Sequence, residues 1–451
     1  MTNYQTIIEN DTSASSISSI PALSVFSEIG ASLDEQRPLL TNSTQDSSCV
    51  YFEEEPKATV ASASINLSNT ILGTGMLAMP AAIASVGLIP GMMIIVYAGV
   101  TSGLGLYFLA RCAEKVGGRN ASFSSLSKLT WPKLGIFFDL AIAIKCFGVA
   151  VSYLIILGDL MPQVIRSFFH GAEENAILMD RRFWITLSIF TAVGPLSFLR
   201  KLDSLKYTSL IALFAVAYLV VIVVYHYITP NFPPPPPESI EYFHLTTKIF
   251  SQLPVFIFAF TCHQNIFSVY NELENNSERS IVKVIFMSIG SAGFIYEIVA
   301  ILGYLSFGKG VLGNIILEYP QSHFVAFGRL AIVVLVIFSY PLQAHPCRAS
   351  LEKIIDSNPL PMSDKKHALV TGFIVVASYF LAISISQLDL VLSFVGSTGS
   401  TTISFILPGL FYFRLYRDDS WHWKRVAALF LTFYGIMVMT VCLTFNIKRL
   451  L

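Results

Sequence analysis

Two stretches of this sequence set polar and helix-breaking residues among apolar neighbours, and these are the places where chemistry can occur. The first runs from Asn66 to Pro80 and contains Asn69, Thr70, Gly73, Thr74, Gly75 and Pro80. The second is Phe260-Thr261-Cys262-His263-Gln264-Asn265, set between Pro254-Val255-Phe256 and Ile266-Phe267. In a helix, glycine and proline weaken or remove the main-chain bonds of a turn. Amides freed near Gly73 to Gly75 would stand at the positive end of the half-helix that follows, a place for a carboxylate, while freed carbonyls suit an ammonium. A small zwitterion fits both ends, with Thr70, Thr74, His263, Gln264 and Asn265 as walls. The bland alternatives are close helix packing for the glycines and a structural hydrogen bond for His263.

The elements that must position these residues are membrane helices. Apolar residues make up 54% of 451 positions and charged residues 13%, too apolar for a water-facing globule of this size. Eleven apolar runs are long enough to cross about 30 Å of hydrocarbon. They fall at 58–86, 88–113, 135–160, 183–199, 207–229, 247–270, 281–307, 323–346, 368–386, 390–413 and 424–446. They lack the alternation of a barrel, so helices are implied. The interrupted runs are the first and the sixth, the spacing of an inverted-repeat transporter with paired discontinuous helices at the midplane. Residues 448–451 remain as a short end beyond the last run.

Charge sets the orientation. Lys plus Arg equal Asp plus Glu at 29 each, which gives no sign of a nucleic-acid partner. With the N-terminus cytoplasmic, the loops on that side carry twenty basic residues against seven on the other. That arrangement puts the C-terminus on the far, lumenal side. Residues 1–57 hold nine acidic residues against Arg37 and Lys57, are rich in Ser and Thr, and read as a disordered tail. Within it, Glu35-Gln36-Arg37-Pro38-Leu39-Leu40 matches the acidic dileucine pattern read by adaptor complexes that sort to lysosomes and vacuoles. Cys49, Cys112, Cys146, Cys262, Cys347 and Cys442 are scattered singly, so neither a metal site nor a disulfide framework is indicated. Five prolines, Pro233 to Pro237, stop the fifth run.

Ionisable residues at membrane depth need a reason to be there. Lys145, Gly148, Ser152 and Asp159 share one face of the third run, Glu297 lies in the seventh and Arg329 in the eighth. A proton-coupled carrier needs a group that gains and loses a proton in its cavity, and Glu297, His263 and Lys145 are the candidates. The competing reading is a Lys145–Glu297 ion pair that serves assembly alone. The eighth run also carries Ser339, Tyr340, Gln343 and His345, and the tenth carries Gly396-Ser397-Thr398-Gly399-Ser400-Thr401-Thr402. These small hydroxyls either let helices approach closely or wall the site, with Ser397 as a candidate substrate contact.

With these motifs, together with Lys145 to Val149, Ser152-Tyr153-Leu154, Tyr270 to Leu273, Gly303-Tyr304 and Ser339 to Gln343, the chain resembles the amino acid/auxin permease superfamily. The branch it resembles holds the sodium-coupled neutral amino acid transporters and the fungal vacuolar amino acid transporters, and the match covers 58–447. The resemblance implies an all-α integral membrane protein of leucine-transporter type, five plus five helices with an extra C-terminal one. It implies amino acid symport or antiport, and places Asn69 and Ser339 where sodium-coupled relatives hold their ion. In an acidic organelle a proton is the expected coupling ion, with sodium as the alternative. The expectation is therefore a monomeric, multi-pass vacuolar or lysosomal amino acid transporter with no cofactor, no metal and no enzymatic activity. Its partners would be amino acids, membrane lipid and a sorting adaptor. An amino acid sensor signalling through its tail, or a sodium-coupled symporter at another membrane, is the alternative.

Overall fold

The computed structural model describes residues 58–451 apart from 170, 172–173, 201–207, 245, 356–362 and 420–421. The tail, with Glu35, Leu39 and Leu40, lies outside the described residues. The described chain is helical throughout, its one β-bridge joining Ala58 to Leu273.

The first apolar run is two helices, α1 (Val60–Ile71) and α2 (Gly75–Ala84), set at 58° to each other across Leu72 to Thr74. It is followed by α3 (Leu88–Val116), the short α4 (Phe123–Thr130) and α5 (Gly135–Phe168). Next come α6 (Arg181–Ser188) and α7 (Gly194–Ser197), joined by a π turn over Ile189–Val193, and then α8 (Thr208–Ile228). The sixth run is again two helices, α9 (Ile249–Ala259) and α10 (Ile266–Glu272), parted by Phe260 to Cys262 and one 3-10 turn at His263–Asn265. Behind it stand α11 (Glu278–Phe307), α12 (His323–Ile355) and α13 (Asp364–Ser384). The tenth run holds α14 (Leu388–Val395), two wide π turns at Gly396–Ser400 and Thr402–Ile406, and α15 (Leu407–Leu415). The last helix, α16 (Trp423–Leu450), takes in most of the four residues expected to lie beyond it.

Among the described residues nine helices are long and apolar enough to span a bilayer, or ten with the bent pair counted as one span. The run expected at 183–199 is the exception: it is helical, but short and interrupted by its π turn.

Close approach of the broken helices to their neighbours depends on glycine. A Cβ at Gly75 would lie 2.9 Å from Ala259 Cα, one at Gly303 2.7 Å from Pro80 Cγ, and one at Gly396 2.0 Å from the Pro254 carbonyl oxygen. The buried arginines Arg329 and Arg348 are held largely by main-chain carbonyls, which spares them an unmet charge in the interior. Arg329 is fully buried and donates to the carbonyls of Ile316 (3.2 Å) and Tyr319 (2.7 Å) and to Gln321 Oε1 (3.0 Å). Arg348 ties α12 to Ser197 O and Thr371 Oγ1, each at 3.0 Å.

The two ends of the bundle are closed by different means. At one end Ala58 donates to Glu272 O (3.1 Å) and accepts from Glu274 N (3.0 Å), so the start of α1 is paired with the end of α10. Arg119 clamps the same place, donating to the carbonyls of Asn271 and Glu274 at 2.9 Å and Leu273 at 2.5 Å. At the opposite end the segment 241–244 caps the start of α3, with Leu88 N to Glu241 O and Ile89 N to Tyr242 O both at 3.0 Å. Lys309 donates to Glu241 there at 2.8 Å. That hydrogen bond, with the charges of His244 and Lys309 beside it, holds the Glu241 carboxyl below its ordinary value.

Candidate functional site

Both helix breaks open on one cavity of about 670 Å³. Asn66, Asn69, Thr70, Gly73 and Thr74 come from the first break, Gln264 and Asn265 from the sixth run, and Ser339 and Gln343 from α12. The cavity runs from mid-depth to the end of the bundle that carries Ala58, where Ser122, Asp139, Asn271 and Lys353 line its mouth. Lys353 and Asp139 stand 3.8 Å apart across that mouth. The opposite end is shut by the tight contacts of α2 with Gly303 and by the 241–244 cap.

At the inner end of the cavity is a recess of about 30 Å³, lined by Thr70, Gly73 to Gly75, Lys145, Tyr153, Thr261 and Gln343 among others. Thr70, Gly73, Thr74, Tyr153 and Gln343 face both spaces. Leu72 N still bonds to Ser68 O, and Met76 N and Leu77 N bond back to Gly73 O and Thr74 O. The amides of Gly73, Thr74 and Gly75 between them have no main-chain acceptor among the described residues. They stand at the N-terminus of α2, where the helix field favours an anion.

The two breaks are also bonded to each other. Asn265 Nδ2 donates to Thr70 Oγ1 at 2.9 Å, and Thr70 Oγ1 donates in turn to Asn66 O at 3.2 Å. From behind, the Tyr296 hydroxyl of α11 reaches Ile71 O at 2.5 Å and Ala259 O at 2.9 Å, the last carbonyls before each break. Two acceptors stranded by the breaks are thus held by one side chain, as burial in a membrane requires. The Tyr153 hydroxyl stands beside Ser339 and Gln343 on the facing helix.

Not every residue singled out in the sequence meets this cavity. Thr70, Gly73, Thr74, Asn69, Gln264, Asn265 and Ser339 line it, while Gly75 and Lys145 line its recess. His263, read as a cavity wall, is fully buried on the other side of its turn. Its Nε2 donates to Ser102 O at 3.1 Å, and Nδ1 is 3.1 Å from Ser404 Oγ, so it joins the sixth run to α3 and the tenth. Ser397 returns its hydroxyl to Phe394 O at 3.1 Å on its own helix, the cheapest partner a buried serine can find. Glu297 faces a separate apolar groove of about 530 Å³ between α3 and α11, lined by Gly99, Gly103, Gly290 and Gly293. No Lys145–Glu297 pair therefore forms. Asp159 pairs instead with Arg181, at 3.0 Å, and Gly148 packs against Val395. The shared face of the third run is divided among three environments.

Sequence reasoning passed over Asp139, Tyr153, Lys353 and Tyr296 as site residues. The first and third sit at span ends, where charge is ordinary, and the tyrosines are indistinguishable by hydropathy from interfacial ones.

Known proteins bear on the fold and the family. The solved structure of MhsT in complex with L-phenylalanine superposes with a TM-score of 0.53 at 13% identity, over 85% of this chain and 97% of that one. The fold is therefore of the leucine-transporter type. Vacuolar amino acid transporter 5 of Schizosaccharomyces pombe is 46% identical, over 87% of this chain and 96% of the relative. Vacuolar amino acid transporter 6 of Saccharomyces cerevisiae is 39% identical, over 87% of this chain and 99% of the relative. The family described as transmembrane amino acid transporter protein matches residues 56–448, nearly everything after the tail, and the chain belongs to that family.

Proposed function

We propose that this protein carries amino acids across the vacuolar membrane, coupled to protons, by alternating access. The observation that carries the reading is the cavity at the two breaks, whose inner recess holds, beside Thr70, the Gly73 to Gly75 amides that have no main-chain acceptor among the described residues. An α-carboxylate suits the amides, and the side-chain oxygens of Thr70, Gln264 and Asn265 suit an α-amino group. Asn69 and Ser339 line the same space and are assigned to the coupling region. The relatives named as vacuolar transporters support the location.

With the tail cytoplasmic, as the distribution of Lys and Arg favours, the cavity opens to the cytosol and the 241–244 cap faces the lumen. The alternate state would open the contacts at Gly303 and Gly396 and close the Asp139–Lys353 mouth. A lumen about two pH units more acidic supplies roughly 2.7 kcal/mol per proton. At about 1.4 kcal/mol per decade, that sustains a substrate gradient of about 100-fold. The tail pattern at Glu35, Leu39 and Leu40 would be read by a sorting adaptor, and the carrier acts as a monomer.

The deciding experiment is flux of labelled amino acids across isolated vacuoles, with and without a pH gradient, in cells lacking or overproducing the protein. Overproduction should raise gradient-dependent flux, and Asn265→Ala should raise KM about tenfold by removing a hydrogen-bonding wall. Flux that is independent of the protein's level would refute the assignment.

A further inference from the structure

We infer that Lys145 takes up the coupled proton and the substrate carboxylate together, as one ion pair in the inner recess, so that one proton crosses with each amino acid. The inference deepens the transport reading above and rests on it.

Lys145 is 4% exposed and lines the recess beside Gly73 to Gly75 and Thr261. Among the described residues its ammonium has neither a hydrogen bond nor an ion pair. The titratable groups near it are thiols and a phenol on its own helix and the sixth run: Cys146, Cys262 and Tyr153, with His263 beyond them. From the tenth run, Gly399 packs against its Cβ and main-chain nitrogen. Among the described residues no carboxylate lines the recess to neutralise it.

A lone ammonium taken out of water is costly, whereas an ammonium paired with a carboxylate and with amide donors is far less so. The recess has room for about two water-sized groups, which is the space of one carboxylate's oxygens. The low-cost states are therefore two. In one, a neutral Nζ faces an empty recess. In the other, Nζ has gained a proton and the substrate carboxylate has entered against it and the free amides of Gly73 to Gly75. Release reverses both steps: the proton leaves Nζ as the carboxylate leaves the recess. A zwitterion carries no net charge, so each cycle moves one positive charge when the empty carrier returns neutral.

Asp139, the carboxyl on the cavity wall, lies at the mouth beside Lys353 and outside the recess, and neither Glu297 nor His263 lines the recess. Glu297 faces the apolar groove, and both ring nitrogens of His263 are engaged with Ser102 and Ser404.

The test uses the purified full-length chain in liposomes holding a pH-sensitive dye, with an equimolar mixture of radiolabelled protein amino acids as probe. The wild type should acidify the interior by one proton per amino acid taken up. Lys145→Met, always neutral, should lose uptake by about thirtyfold or more. Lys145→Arg, always charged, should keep exchange of internal for external amino acid while losing net proton-driven uptake. Glu297→Gln should keep both uptake and proton entry, and this arm, like the wild-type ratio, does not depend on Lys145 variants folding. Proton entry at the wild-type ratio in either Lys145 variant overturns the inference. So does loss of proton entry with retained uptake in Glu297→Gln. Wild-type uptake without proton entry overturns it while leaving amino acid carriage intact, whereas no wild-type uptake at all removes the underlying transport reading.

Discussion

The Tyr296 hydroxyl lies 2.5 Å from the Ile71 carbonyl, on the last residue of α1, and it reaches Ala259 O across the second break as well. One phenol on a continuous helix therefore braces both discontinuous ones. A hydroxyl has a single proton, so it holds the two carbonyls by sharing it, and Phe260 packs edge-on against its ring at 5.1 Å.

Replacing Tyr296 with Phe should keep the ring contact and strand both carbonyls. A cost of about 1–3 kcal/mol is expected from leaving buried acceptors unmet. It would appear as a lower melting temperature in detergent, with reduced flux because the geometry of the breaks is loosened. A variant as stable and active as the parent would show that water replaces the hydroxyl at no cost.

The cavity's direction is open to direct labelling. Cys112, Cys146, Cys262, Cys347 and Cys442 are buried, so a Cys49→Ser background leaves little native thiol for a membrane-impermeant maleimide. In it, Ser339→Cys should react from the cytosolic side of intact vacuoles, and amino acids should protect it. Glu297→Cys, facing the apolar groove, should not react. The reverse pattern would place the substrate path between α3 and α11.

The Glu241 cap gives a pH dependence whose sign is fixed. Because the Lys309 hydrogen bond lowers the folded-state pKa of this carboxyl, its contribution is present above the unfolded value and lost as pH falls through the folded one. The difference in melting temperature between wild type and Glu241→Gln should stay constant from neutral pH to about 5 and shrink below about 4. An organelle lumen of moderate acidity would leave the cap intact. A difference that vanished already at pH 6 would mean the pair contributes nothing.

Replacing Leu39 and Leu40 with Ala should redirect the protein to the cell surface without altering its flux per molecule, as seen by fluorescence microscopy and surface labelling. Unchanged vacuolar residence would remove the sorting role.

Much of this site was readable from the chain. Gly73 and Gly75 mark the first break and the polar run at His263 to Asn265 the second, whereas Pro80 lies inside α2 and Gly75 also serves the close approach to Ala259. Asn69, Thr70, Gln264 and Asn265, beside the breaks, line the cavity, and so does Ser339 of α12, which only the family resemblance singled out. What the chain did not reveal was rotation. A membrane helix apolar on nearly every side has no wet face to orient it, so the aim of Glu297, Ser397 and His263 is set by tertiary contacts such as His263 with Ser404. The same holds for length: the run at 183–199 has the hydropathy of a span, but a π turn at Ile189–Val193 divides it.

Ala58, where the described chain begins, is stitched by two main-chain hydrogen bonds to the end of α10. That stitch joins the base of one broken helix to the foot of the other, so whatever tugs on the chain upstream of Ala58 tugs on both at once.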